Sequence, residues 1–238
     1  MKRTRRHWVL LAGSAAAIGC GVALGQTALT EAIDSALPDA RGIASFNRPG
    51  TITLLSSDGQ VIQKLGPATR EKLKPGEMPE LVKQAFVAAE DRRFYEHDGV
   101  DLWGISRALF TNIKQRSVRE GASTITQQLA RTVFLSQDRT ITRKLREAAL
   151  AYKLERQLSK EQILEQYLNY VYLGSGAYGV ADAAWVYYSK TPDQLTLPEA
   201  ALIAGLPPAP SVYSPLVDEE VAEKRRSIVL ARMQQAGF

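Results

Sequence analysis

One cysteine and two histidines are all that these 238 residues hold of those two types. The lone thiol, Cys20, excludes an internal disulfide and a cysteine-built zinc centre. His7 and His97 are too few for a histidine-built metal centre. Strand signals are scarce, internal repeats are absent, and no long tract is of low complexity. Residues 8–30 carry no charge at all. What remains is ordinary: 45% hydrophobic and 23% charged residues, a globular composition that excludes a disordered chain. The length supports one good-sized core, or two lobes sharing a cleft. A net charge of +5 favours an anionic partner, whether nucleic acid, an acidic membrane surface or a phosphorylated substrate.

Lys2, Arg3, Arg5 and Arg6 precede the uncharged stretch. Basic residues before an apolar span predict the N-terminus inside and the remainder outside. The stretch reads as an uncleaved signal-anchor, a cleaved signal peptide, or a lipoprotein signal on Ala17-Ile18-Gly19-Cys20, and all three export the rest of the chain. Residues 31–78 read as a linker carrying a β hairpin, in which 51–55 and 60–65 flank Ser57-Asp58-Gly59. From 80 onward the pattern is helical, with helices expected over 80–95, 102–115, 124–134, 140–158, 159–173, 181–188, 196–204 and 219–235. Pro207, Pro208 and Pro210 predict a rigid extended corner. The expected class is mainly α with a small β hairpin and an N-terminal membrane helix, divided as 1–30, 31–78 and 79–238.

Two glutamates fall on apolar helix faces. Glu90 has Phe86 and Val87 one turn back and Arg93 and Phe94 one turn on; Glu147 has Arg143 and Lys144 one turn back and Leu150 and Ala151 one turn on. A carboxylate is costly to bury unless it is paired or used. Glu90 is therefore either a general base with a raised pKa or the partner of Arg93 in a structural bridge. Gly121, Ser123 and Thr124 open a helix whose free N–H groups suit an oxyanion or phosphate, and Gln127 and Gln128 could bond sugar hydroxyls. Arg107, Arg131, Arg139, Arg143 and Lys144 cluster in sequence between and around the glutamates, which suits phosphate oxygens. His97 reads as structural. The stripe of Leu102, Trp103, Ile105, Leu109 and Phe110 reads either as a buried helix face or as one that dips into a bilayer.

These blocks resemble the five ordered signatures of the peptidoglycan glycosyltransferase family, the transglycosylase domain of class A penicillin-binding proteins and of monofunctional transglycosylases. Glu90, Asp91, Phe94, His97 and Gly99 meet the first pattern, and Gly121, Ser123, Thr124, Ile125, Thr126, Gln127 and Gln128 the second. Arg143 to Glu147 resembles the third and Ile163 to Asn169, with Gly174 and Gly179, the fourth. Glu199 to Pro207 resembles the fifth.

The resemblance implies a lysozyme-like fold of two lobes and a substrate, lipid II, whose disaccharide is carried on a diphosphate lipid. Glu90 falls on the catalytic base and Glu147 on the second glutamate. Asp91, Phe94, Arg107, Ser123, Thr124, Gln127, Gln128, Arg131, Arg139, Arg143 and Lys144 fall on substrate-binding positions. A divalent cation, Mg or Mn, is expected near Glu147, and no organic cofactor. The implied partners are lipid II, the growing glycan strand, membrane lipid and other cell-wall synthesis proteins, with no nucleic acid. The implied place is the outer face of a bacterial plasma membrane, with a single pass and a cytoplasmic N-terminus. Alternatives are a lysozyme-like hydrolase or lytic transglycosylase, which leaves the basic cluster unemployed, and a non-enzymatic scaffold for wall assembly. Neither S-x-x-K nor K-T-G occurs, so these residues contain no penicillin-reactive serine site. The chain is expected to be monofunctional or the front part of a longer protein.

Overall fold

The structure, a computed structural model, describes residues 35, 37–43, 52–65, 72–115, 123–135 and 140–238. The uncharged stretch at 8–30 lies outside the described residues, as do Gly121 and Arg139. Among the described residues no helix is long and apolar enough to cross a membrane. The chain divides into two units, residues 1–39 and 40–238. The second unit holds the sheet and the packed helices.

Its only sheet among the described residues is a hairpin of β1 (Ile52–Leu55) and β2 (Val61–Leu65), antiparallel with Ile52 opposite Leu65. Gly59 takes a positive φ of 82° at the turn, as Asp-Gly predicts. A bulge between Leu54 and Leu55 shifts the register.

The rest is helical: α1 (Glu80–Glu90), α2 (Leu102–Gln115), α3 (Ile125–Phe134), α4 (Ile141–Gln157), α5 (Lys160–Tyr170), α6 (Val180–Tyr188), α7 (Leu197–Ala204), α8 (Pro210–Tyr213) and α9 (Glu219–Gln235). Starts follow the caps. Thr124 and Ser159 each close a capping box, and Thr140 and Asp218 accept from the N3 backbone N–H of their helices. The core forms where α3 packs on α4 and α5, and where α1, α7 and α9 pack together. Phe86, Leu129, Leu150, Leu154, Ile163, Leu164 and Leu168 are completely buried there.

Three expected elements differ. The first helix stops at Glu90, not 95, because Asp91 leaves the helical region to accept from the backbone N–H of Ile125 at 3.1 Å. Residues 94–96 form a separate 3₁₀ turn. The helix expected through 173 ends at Tyr170, after which Tyr172 and Tyr178 bridge across the glycine turn. The proline corner is folded rather than extended: Pro210 sits at the first position of α8, where its missing N–H costs nothing.

Candidate active site

Glu90 is the last residue of α1, and its side chain is only 8% exposed. Arg93 does not pair with it. Because the helix ends, Arg93 turns to Asp101 at 3.0 Å and Glu96 at 2.8 Å, which removes the structural-bridge reading. The groups that do face Glu90 come from distant elements. Gln128 of α3 donates from Nε2 to Glu90 Oε2 at 2.8 Å. Arg225 of α9 places Nη2 4.0 Å from Glu90 Oε1. Arg232, two turns further along α9, donates to the carbonyl of Ala89 at 2.5 Å. Burial pushes the Glu90 carboxyl above its ordinary range; the Gln128 bond and the charges of Arg225 and Arg232 oppose this, and Asp91 adds to it.

Glu90 opens into a cleft of about 380 Å³. Its walls carry six arginines, Arg92, Arg93, Arg107, Arg131, Arg225 and Arg232, against three carboxylates, Glu90, Asp91 and Asp101. All three carboxylates are engaged within the protein: Glu90 by Gln128, Asp101 by Arg93, and Asp91 by His97 Nε2 and Ile125 N. The balance favours an anionic ligand. Ser123, Thr124 and Gln128 line the same cleft.

Other expected site residues are placed differently. Phe94 is fully buried under Lys160, whose ammonium lies 4.6 Å from its ring centre. Gln127 is also buried: its Oε1 accepts from Thr124 N at 3.2 Å, closing the cap of α3 instead of meeting a sugar. The expected cradle of free N–H groups at this helix start is largely taken up, since Thr124 N, Ile125 N and Gln127 N all have protein acceptors. A helix start that caps itself this completely has little left to offer an anion.

Glu147 lies outside the cleft lining, only 1% exposed on α4. It accepts from Arg143 Nη1 at one oxygen and from Lys144 Nζ at 2.9 Å at the other. Lys144 also donates to Ser123 Oγ at 2.8 Å, which ties this cluster to the cleft wall. Burial, then Arg131 and Arg143, push the Lys144 ammonium below its ordinary value. The donor set does not fit a resident divalent cation. Both oxygens of Glu147 are occupied, and among the described residues no three His, Cys, Asp or Glu stand together to hold a metal.

The first motif also sets the frame of the site. His97 Nε2 meets Asp91 while its Nδ1 is buried without a partner among the described residues. Gly99 takes a φ of +87°, and a Cβ there would stand 2.8 Å from the backbone of Ala151. Its carbonyl accepts from the Thr124 hydroxyl at 2.6 Å. The His97 carbonyl accepts from Lys160, the first residue of α5. The motif thus locks the end of α1 onto the starts of α3 and α5 and the middle of α4.

Arg225, Arg232 and Tyr213 were not among the residues expected at the site. Their signal was present: Arg225 and Arg232 are two turns apart on α9, on the side that buries Ala222, Val229 and Met233. Cations on an apolar stripe are the same anomaly that marks Glu90 and Glu147.

Residues 58–234 match the model of one protein family, Transglycosylase. The chain is 48% identical over 202 residues to penicillin-binding protein 1A of Neisseria flavescens, covering 85% of this chain and 25% of that protein. It is 44% identical over 233 residues to penicillin-binding protein 1A of Escherichia coli K12, covering 98% and 27%. The chain therefore spans about a quarter of the length of these curated relatives.

Proposed function

We propose that this chain, which belongs to the transglycosylase family, polymerises lipid II into peptidoglycan glycan strands by inverting glycosyl transfer with release of undecaprenyl diphosphate. One observation carries the reading: a desolvated carboxylate, Glu90, shares a single cleft with six arginines. Glu90 takes the proton from the 4-hydroxyl of the acceptor sugar, and its raised pKa makes it a stronger base than an exposed carboxylate. The leaving diphosphate needs charge neutralisation rather than a strong acid, and Arg107 and Arg131 on the cleft wall supply it. The hydroxyl attacks from the face opposite the diphosphate, where water sits in an inverting glycosidase. Glu147 acts at one remove, holding Arg143 and the Lys144 that reaches Ser123.

The same reading makes the fold lysozyme-like with two lobes, anchored by residues 8–30 on the outer face of a bacterial plasma membrane. The apolar side of α2 supports it. Leu102, Trp103 and Phe110 are outward-facing, at 73%, 68% and 69% exposure, on the helix that carries Arg107. A face of that kind beside a cationic cleft suits a lipid whose headgroup is a diphosphate. Polymerisation of labelled lipid II by the purified chain tests the proposal. Glycan strands from the wild type and near-complete loss in Glu90→Gln are expected. Clearance of finished glycan, with no polymer from lipid II, overturns it.

A further inference from the structure

We infer that Tyr167, which does not line the cleft, is the positioning residue that fixes the amide of Gln128 with its NH₂ group aimed at Glu90. Tyr167 Oη donates to Gln128 Oε1 at 3.0 Å, and Gln128 Nε2 donates to Glu90 Oε2 at 2.8 Å. The two ends of an amide are nearly alike in shape and opposite in hydrogen bonding. A general base must be ionised to act, and an ionised carboxylate only accepts. Gln128 therefore helps in one orientation and repels in the other. A phenol proton placed on Oε1 selects the helpful one.

Tyr167 is built to hold that role. It is 1% exposed on α5, and its ring meets Phe86 of α1 edge-on, with centroids 6.1 Å apart at 79°. Burial, and then the charge of Glu90, push its phenol well above the ordinary value, so the hydroxyl keeps the proton it donates. The other charged groups acting on Glu90 are Asp91, next in the chain, and Arg225 and Arg232 from α9. Asp91 and Arg131 act on the Tyr167 phenol as well, but its hydrogen bond goes to Gln128, so a Gln128→Met background separates the path through the amide from any direct effect of the hydroxyl.

The test uses Tyr167→Phe in the full chain, which keeps the ring packed on Phe86. The Glu90 carboxyl is titrated by ¹³C NMR with labelled glutamate, its signal assigned by its loss in Glu90→Gln. The pH profile of lipid II polymerisation is recorded alongside, which rests on the proposed function. In Tyr167→Phe the Glu90 midpoint is expected to move up, because the ionised form loses an oriented donor. On the acidic limb the rate falls about tenfold, the size of roughly one hydrogen bond to a charge, while the alkaline plateau stays within about twofold. In a Gln128→Met background the same substitution moves neither. An unmoved midpoint and limb, with or without a lower melting temperature, overturns the inference, and so does an equal shift in both backgrounds. A wild type that makes no polymer sinks the proposed activity, and the NMR titration still decides the relay.

Discussion

Arg225 is held on the backbone and stops short of Glu90: Nε donates to Gly205 O at 2.9 Å while Nη2 lies 4.0 Å from Glu90 Oε1. Its guanidinium also lies 5.2 Å from the centre of the Tyr213 ring. Tied down on two other sides, it lowers the pKa of Glu90 without saturating the base in a bidentate pair. Replacing Arg225 with Met removes that attraction. The acidic limb of the polymerisation profile is expected to move to higher pH, with a loss of about tenfold at neutral pH. Arg225→Lys restores the charge but not the fork, and recovers only part of the rate. A profile unchanged in Arg225→Met would show that the cation has no hold on the base.

The raised pKa of Glu90 also predicts a stability effect with a definite sign. A carboxyl whose folded pKa exceeds its unfolded value binds more protons when folded. Stability therefore falls as pH rises from the unfolded value through the folded one, and stays reduced above it. Glu90→Gln removes that cost while keeping size and a polar end for Gln128. Its melting temperature is expected to exceed the wild type's at neutral pH and to match it in acid, although its turnover falls by about a hundredfold or more. Equal melting temperatures across the whole pH range would show that burial does not strain this carboxylate.

Glu147→Gln tests the opposite arrangement, a buried carboxylate that is fully paired. The substitution removes the buried carboxylate that Arg143, 15% exposed at its side chain, shares with Lys144. Breaking a buried pair by removing one partner costs roughly 3–5 kcal/mol, and the half-exposed Lys144 puts this case at the low end. Urea unfolding should show that loss together with a severe drop in polymerisation. A stable but inactive Glu147→Gln protein would instead assign the glutamate directly to the chemistry.

Local signals were the ones legible in the sequence. Asp58-Gly59 marked the hairpin turn, and Thr124, Thr140 and Ser159 marked three helix starts, because each acts on neighbours within a few residues. The end of α1 was not legible, since the apolar pattern of Phe86 and Phe94 continues past Glu90. What stops the helix is the Asp91 bond to Ile125, thirty-four residues away. The same limit applied to the site. Glu90, Arg107, Gln128 and Arg131 stood out by type and spacing and do line one cleft. Gln127 stood out equally, but its side chain serves the cap next door. Arg225 and Arg232 carried only the signal of cations on the stripe of Ala222, Val229 and Met233, and what they face is set when α9 packs on α1 and α7.

The exposed face of α2 supplies the last prediction. Leu102, Trp103 and Phe110 point outward, which a soluble surface would not favour for three large apolar side chains on one helix. The chain holds three tryptophans, Trp8, Trp103 and Trp185, so Trp8→Phe with Trp185→Phe leaves Trp103 as the sole indole reporter. In the full chain reconstituted in bilayers, Trp103 emission is expected to shift to the blue and to be quenched by brominated acyl chains, because an interfacial helix buries its apolar side roughly 5–10 Å into the headgroup boundary. Phe110→Ser should weaken that quenching while changing stability by less than about 0.5 kcal/mol, as befits an exposed position. Quenching of Trp103 by aqueous iodide instead of by lipid would place this face in water and remove the membrane route by which the lipid substrate enters the cleft.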